Sequence, residues 1–375
     1  MHTPHPHQPD FAGVHRKMDS ASAHRRVEAA ADANATVGAN SAGEVNAAVG
    51  ANSASESPGS SCASRAQAPS RVGCAQVPNR TSCAQAFSRP DFARAYRIPD
   101  ARDHKYTRGV VGLVVGSDKY PGAAVMATAG ALRTGVGMVR YQGPELPARL
   151  VLNHFPSAVV GDGHVQAHVV GSGIDDDEFD TRVRPLLNET GEVLVVDASA
   201  LPGYTKFVAQ EGGRDQRADV PTVLTPNVTE AVRMMSELSQ QDTSWNQVHE
   251  ALADCAAKLA DLTGATVAVK GADTAVCSPG QTPLVVTGAC AWVGTAGSGD
   301  VLAGAIGARV AAWQADRENG RAVESFDRAV ASGVWIVAAA GRAAAEVERF
   351  AWGHPVEPME VADAIPRAIA QQLEE

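Results

Sequence analysis

The run Trp292-Val293-Gly294-Thr295-Ala296-Gly297-Ser298-Gly299-Asp300 is where residue types and spacing most plainly invite chemistry. Glycines and small residues lead into Asp300, and a helix-like stretch follows over residues 301–313. A glycine turn feeding a helix leaves backbone N–H groups unpaired and pointing one way, and the helix dipole adds partial positive charge there. Such a turn favours an anion, so Gly297, Ser298 and Gly299 read as an anion hole. A fixed carboxylate is unwelcome beside a bound phosphate, so Asp300 reads as a proton acceptor. The same pattern also fits a plain loop with Asp300 capping the helix.

A second constellation precedes it. Lys270-Gly271-Ala272-Asp273-Thr274 sets a cation, bare backbone and a hydroxyl at the end of a strand-like run. That suits phosphates, although a surface lysine on an edge strand looks the same. Further upstream Gly116, Gly171-Ser172-Gly173, Asp197 and Asn227 each follow a short apolar run. Asp197 suits either ordering a metal through water or capping the turn at residues 198–201.

These residues need strands to present them. Residues 109–116 are a β-branched apolar run closed by glycine, as in a strand buried on both faces. Similar runs stand at 169–171, 193–197 and 223–225, with helical stretches at 123–133, 229–238 and 248–262 between and around them. Such alternation predicts an α/β fold with a largely parallel sheet, in which ligands sit at the carboxyl ends of the strands. Residues 267–276, followed by Pro279-Gly280 and residues 284–287, break the rhythm and read as an antiparallel hairpin.

With 375 residues, 45% of them hydrophobic, the chain can bury a large core. A formal charge of −10 disfavours nucleic acid as a partner. No apolar run is long enough to span a membrane and no apolar h-region opens the chain, so a cytoplasmic location away from membranes is expected. Cys62, Cys74, Cys83, Cys255, Cys277 and Cys290 show no CxxC spacing, which offers no zinc site and fits a reducing compartment.

Residues 1–90 are different material. They hold no Leu and no Ile, and Val-Gly-Ala-Asn-Ser-Ala occurs twice, at 37–42 and 49–54. A segment this poor in large apolar side chains cannot offset the entropy of ordering it, so a disordered tail is expected ahead of a domain at 91–375. His2, His5, His7, His15 and His24 read as solvated rather than metal-binding. Asp10, Asp19, Glu28 and Asp32 disfavour an organellar transit peptide.

In chain order, the signals run from His104-Lys105 through Gly116-Ser117 with Pro121-Gly122-Ala123-Ala124 to Gly171-Ser172-Gly173 and Asp197. They continue through Thr225-Pro226-Asn227 with Glu230, Lys270-Gly271 with Thr274, and Gly297-Ser298-Gly299-Asp300. This succession resembles the ADP/ATP-dependent NAD(P)H-hydrate dehydratases over residues 100–372. The resemblance implies a ribokinase-like three-layer sandwich, its central sheet mostly parallel with an antiparallel hairpin near the C-terminal part. It implies a hydro-lyase, which returns hydrated NAD(P)H to NAD(P)H by phosphorylating the hydrate hydroxyl from ADP, or ATP, and eliminating phosphate.

By the same resemblance Asp300 is the base, with Gly297, Ser298 and Gly299 holding the migrating phosphoryl group. Ala123, Ala124, Gly173, Asn227 and Asp300 would line the hydrated dinucleotide. Lys270, Gly271, Ala272, Asp273, Thr274 and Gly299 would bind ADP, and Mg²⁺ would bridge its phosphates, ordered by Glu230 through water. A homo-oligomer and a separate NAD(P)H-hydrate epimerase are the implied partners. Three positions depart from the family. Asn227 stands where histidine is usual, Ser298 where threonine is usual, and Ser172 where proline is common. Ser172 is expected to be neutral, because the flanking glycines still allow close approach. Asn227-x-x-Glu230 also resembles the magnesium-organising motif of ribokinase-type sugar kinases, which leaves a small-molecule kinase as one alternative. A non-catalytic nucleotide-binding protein is the other; Asp300 within its glycine turn speaks against it.

Overall fold

A run such as Val193-Leu194-Val195-Val196 has no polar face and is stable only where both its faces are covered. The computed structural model, which describes residues 84–175, 178–188, 191–210, 217 and 219–374, puts such runs at the centre of a layered molecule. β1 (Gln85–Ala86) and α1 (Arg89–Ala95) lead to β2 (Val110–Val114), α2 (Gly122–Arg133) and β3 (Met138–Tyr141). α3 (Glu145–His154), β4 (Val159–Val160) and β5 (Ala167–Val170) follow, then α4 (Arg184–Asn188), β6 (Val193–Val196) and α5 (Ala200–Ala209). β7 (Thr222–Leu224) precedes α6 (Val228–Ser239), α7 (Trp245–Glu250) and α8 (Leu252–Thr263). β8 (Thr266–Lys270), β9 (Thr274–Cys277) and β10 (Leu284–Val286) come next, and α9 (Ser298–Glu318), α10 (Phe326–Ala344) and α11 (Pro358–Leu373) complete the chain.

Among the described residues the strands form one sheet in the order β1-β10-β9-β8-β7-β6-β5-β2-β3-β4. β3, β2, β5, β6, β7 and β8 run parallel, while β9 is antiparallel to both β8 and β10. Alternate strand residues face opposite layers. Val111, Val169 and Val195 pack with α2, α9, α10 and α11, whereas Val114, Val170 and Val196 pack with α5, α6 and α8. This is the three-layer sandwich expected from the resemblance. α2 and α9 are rich in small residues because their backbones touch. A Cβ at Gly304 would stand 2.1 Å from the Ala127 carbonyl oxygen. No helix among the described residues is long and apolar enough to cross a membrane.

Three expectations need correction. Residues 267–276 are not one arm of a hairpin: they hold both β8 and β9, turned at Gly271-Ala272-Asp273, and Pro279-Gly280 joins β9 to β10. The helix read at 248–262 is two, broken at Ala251 with ψ 49 and carrying neither Gly nor Pro as a signal. The boundary at residue 90 falls inside α1. Gln85 and Phe87 donate their N–H groups to Pro283 and Val285 carbonyls at 2.8 and 2.9 Å, adding β1 to the sheet edge. Phe87 is buried against Trp335, ring centroids 5.9 Å apart, and Ser88 caps α1 in a reciprocal pair with Asp91. Two backbone bonds and one large ring outweigh the poor composition around them. The rest of the low-complexity segment, residues 1–83 with its histidines and Cys62, Cys74 and Cys83, lies outside the described residues.

Candidate active site

The chain runs from β2 out to β3 and β4, then returns to lay β5 on the other side of β2. A reversal of this kind opens a crevice beyond the carboxyl ends of the two strands. Gly116 follows β2 there, and Gly171-Ser172-Gly173 follows β5; the Gly116 N–H donates to the Ser172 carbonyl at 2.7 Å. Gly171 has φ 113, and a Cβ on it would stand 2.0 Å from the Asp197 carbonyl oxygen, so only glycine lets the two loops approach.

Asp197 directly follows β6 and is 2% exposed. Its Oδ1 accepts from Lys270 Nζ at 2.7 Å and from Thr225 Oγ1 at 2.7 Å, and its Oδ2 accepts from Ser172 Oγ at 3.0 Å. The carboxylate is thus filled from three strand ends, and the adjoining Ala198 is held at φ 49, a strained value for a residue with a Cβ. Lys270 is the last residue of β8 and its N–H donates to the Pro226 carbonyl at 2.8 Å. Burial works against its ammonium, but Asp197, Glu230 and Asp300 outweigh that and hold its pKa above the ordinary value. The Lys270 ammonium reaches to the first turn of α9, 3.6 Å from where a Cβ on Gly299 would be.

Gly297, with φ 96, precedes the first residue of α9; a Cβ there would meet Met126 Sδ at 2.2 Å. No side chain caps this end; the Ser298 N–H donates to the Thr295 carbonyl at 3.3 Å, and the N–H groups of Gly299 and Asp300 have no carbonyl partner among the described residues. Asp300 sits in that turn, half-buried. Burial, then the charge of Asp197, raises its pKa from 3.8 to about 6, against the opposing pull of Ser172 and Lys270. A carboxyl that titrates near neutrality beside an anion-binding turn is suited to proton transfer. Beside it opens a cavity of about 400 Å³, with Lys270, Gly271, Ser298 and Gly299 at one end. Val286, Val293, Leu302, Val334 and Val337 give it an apolar wall.

The residues singled out in the sequence do not all come together. Lys270, Gly271, Ala272, Thr274, Ser298 and Gly299 border the cavity, and Asp300 is set beside Lys270. Asp273 lies in the β8–β9 turn but does not border the cavity. Ala123 and Ala124 are buried, at 7% and 0% exposure, and lie against Gly173 and Gly116. Ala124 therefore offers no open face to a dinucleotide; its small size lets α2 approach the β2 loop. His104 and Lys105 lie at the amino ends of the strands, where the Lys105 carbonyl packs on Gly137, away from the crevice.

Asn227 caps α6. Its Oδ1 accepts from the Glu230 N–H at 2.9 Å, and Glu230 Oε2 accepts from the Asn227 N–H at 2.8 Å. Burial raises the Glu230 pKa, opposed by Lys270 and by that backbone bond. The Asn-x-x-Glu spacing has a local explanation, a capping box, and needs no metal to account for it. Sequence reasoning missed the apolar wall. Val293 and Leu302 and the α10 valines carry no signal beyond that of core residues, and only the tertiary fold turns them toward one opening.

A mostly parallel sheet, a lysine at a strand end and an acid in the first turn of a glycine-led helix together define the ribokinase-like class. The chain belongs to the NAD(P)H-hydrate dehydratase family, whose model matches residues 111–367. A bifunctional NAD(P)H-hydrate repair enzyme of Mycobacterium tuberculosis is 37% identical over 215 residues, covering 56% of this chain and 42% of that one. The chain thus spans under half of that relative's length. An ADP-dependent (S)-NAD(P)H-hydrate dehydratase of Neisseria meningitidis is 31% identical over 248 residues, covering 63% and 77%. In fold the chain is similar to the ADP/ATP-dependent NAD(P)H-hydrate dehydratase of Bacillus subtilis co-crystallised with ATP and Mg²⁺. The TM-score is 0.64 at 21% identity, over 77% of this chain and 99% of that one.

Proposed function

We propose that this protein is an ADP-dependent (S)-NAD(P)H-hydrate dehydratase. The observation that carries the reading is Asp300, a half-buried acid in the first turn of α9 that interacts with Lys270, next to Ser298 and Gly299, which line the cavity with Lys270. The apolar wall suits an adenine base, and Lys270 with the N–H groups of Gly299 and Asp300 suits the phosphates of the nucleotide. The hydrated dinucleotide approaches from the crevice above β2 and β5, so that its ring hydroxyl meets Asp300.

Asp300 takes the hydroxyl proton while the hydroxyl oxygen bonds to the terminal phosphorus of ADP. The bond to the bridging oxygen breaks and AMP leaves. The first turn of α9 and Lys270 hold the oxygens of the migrating group. The ring nitrogen then expels phosphate by breaking its carbon–oxygen bond, and loss of a proton from the neighbouring ring carbon restores the dihydropyridine. Among the described residues no group of three or more His, Cys, Asp or Glu could hold a metal. A Mg²⁺ would arrive on the nucleotide phosphates, and Glu230, which is coupled electrostatically to Lys270 and Asp197, would order its water. Such an ion supplies charge neutralisation for the phosphoryl group. A homo-oligomer, a cytoplasmic location and a separate epimerase complete the reading.

The test is direct. Protein, ADP, Mg²⁺ and hydrated NADH are mixed and absorbance at 340 nm is followed; a rise that depends on ADP is expected. Consumption of ADP with no rise would instead identify a kinase that stops at the phosphate ester.

A further inference from the structure

Four neighbouring strand ends meet at one carboxylate. β5, β6, β7 and β8 lie side by side, and Ser172, Asp197, Thr225 and Lys270 stand at or just beyond their carboxyl ends. Ser172, expected to be neutral, donates its hydroxyl proton to Asp197 Oδ2 at 3.0 Å. Thr225, 1% exposed, donates its own to Asp197 Oδ1 at 2.7 Å. The Val196 carbonyl lies 3.3 Å from the Thr225 hydroxyl but already accepts the Thr225 N–H at 3.1 Å. The hydroxyl proton therefore goes to the nearer, charged oxygen. The Asp197 N–H is tied in turn to the Val170 carbonyl at 3.0 Å, so backbone and both oxygens are held.

What this carboxylate holds is Lys270. The ammonium has three protons on a flexible stem. One goes to Asp197 Oδ1 at 2.7 Å, and Nζ has no other hydrogen-bond partner among the described residues. Glu230 and Asp300 also attract it, so a Lys270 loosened from Asp197 has two other carboxylates to turn toward. We infer that Asp197, anchored by Thr225, is a positioning residue rather than a metal ligand: it keeps the Lys270 ammonium at the cavity with its remaining protons free for the nucleotide phosphates. This rests on the nucleotide-binding role that the dehydratase reading gives Lys270. Three donors already occupy the two oxygens of Asp197, which leaves little room on them for a cation.

Asp197 also cancels part of the ammonium's charge, so replacing it mixes two effects of opposite sign on ADP. T225V is cleaner, because it keeps the side-chain shape and the charge of Asp197 and removes only the anchor. Calorimetric titration compares ADP with adenosine, each in Mg²⁺ and in EDTA. T225V weakens ADP by about three- to tenfold, the scale of ordering one long side chain on binding, and leaves adenosine, which has no phosphates, unchanged. The loss is the same with and without Mg²⁺, T225S restores wild-type affinity, and T225V adds nothing in a K270A background. Where T225V does not fold, S172A, which frees the other oxygen, gives the same pattern and is the deciding variant. No loss, a loss shared by adenosine, or a further loss in K270A overturns the proposal. So does a loss seen only with Mg²⁺, which would make Asp197 part of a metal site. Failure of the dehydratase reading looks different: wild-type protein binds ADP yet gives no rise at 340 nm, and the positioning role stands.

Discussion

Asp300 is asked to be charged in a place that disfavours charge, and two predictions follow from that conflict. Asp300→Asn keeps the size and a hydrogen bond but cannot take a proton, so kcat for NADH regeneration falls ~10²–10⁴-fold. Nucleotide affinity, measured by direct titration, holds or improves because a negative charge near the phosphates is gone. In wild type the base must be ionised, so kcat/KM drops about tenfold per pH unit below about 6. Stability runs the other way. The folded protein binds the Asp300 proton more tightly than the unfolded chain does, since its pKa is raised from 3.8 to about 6. The stabilisation from that proton is complete below the unfolded value and is lost as pH rises through the folded one. Asp300→Asn never ionises, so urea unfolding finds it more stable than wild type at pH 8 by about 1–2 kcal/mol, with the gap closing toward pH 4. Asp300 and Lys270 were legible because glycines mark their turns. The place of Asp197 was not, for its donors Ser172, Thr225 and Lys270 come from three separate strand ends.

Elements show the same division between local and tertiary causes. α6 begins at a reciprocal cap that the spacing Asn227-x-x-Glu230 writes openly, although the spacing first suggested metal binding. Asn227→His removes an oxygen that satisfies the Glu230 N–H. Replacing a good cap costs about 1 kcal/mol, so a loss of that size in urea denaturation is expected. No change would mean that the histidine side chain had taken over the cap. β2, β5, β6 and β7 were legible within a residue or two, because an apolar β-branched run ending in glycine or a polar residue has few other fates. The α7–α8 break was not, since its signals are a Ser244–Gln247 cap and an unremarked Ala251. β1 was hidden by composition. Two residues in a chain stretch poor in large side chains give no period to read, and β1 exists only because β10 offers an open edge.

At the scale of the molecule, the class of fold followed from alternation, but the position of the crevice needed the strand order. The sequence places candidate residues after five strands; only the reversal between β2 and β5 says which loops face each other. The outer edge carries a prediction. Deleting residues 1–88 removes β1, Phe87 and the Ser88 cap, whereas deletion of residues 1–83 retains them and serves as the reference. Loss of a buried phenylalanine side chain alone costs about 3 kcal/mol or more, so calorimetry should find the shorter protein clearly less stable. Equal melting temperatures would show that β1 adds nothing to the domain.

The pairing of Gln85 with Leu284 also constrains how the protein is made. These partners stand roughly two hundred residues apart, and such distant contacts form late because the intervening chain must first be brought together. During synthesis β1 emerges early and has no partner until β10 has left the ribosome. The nascent chain therefore carries an unpaired β1 through that long interval, in which a holdase or a wrong strand would find it.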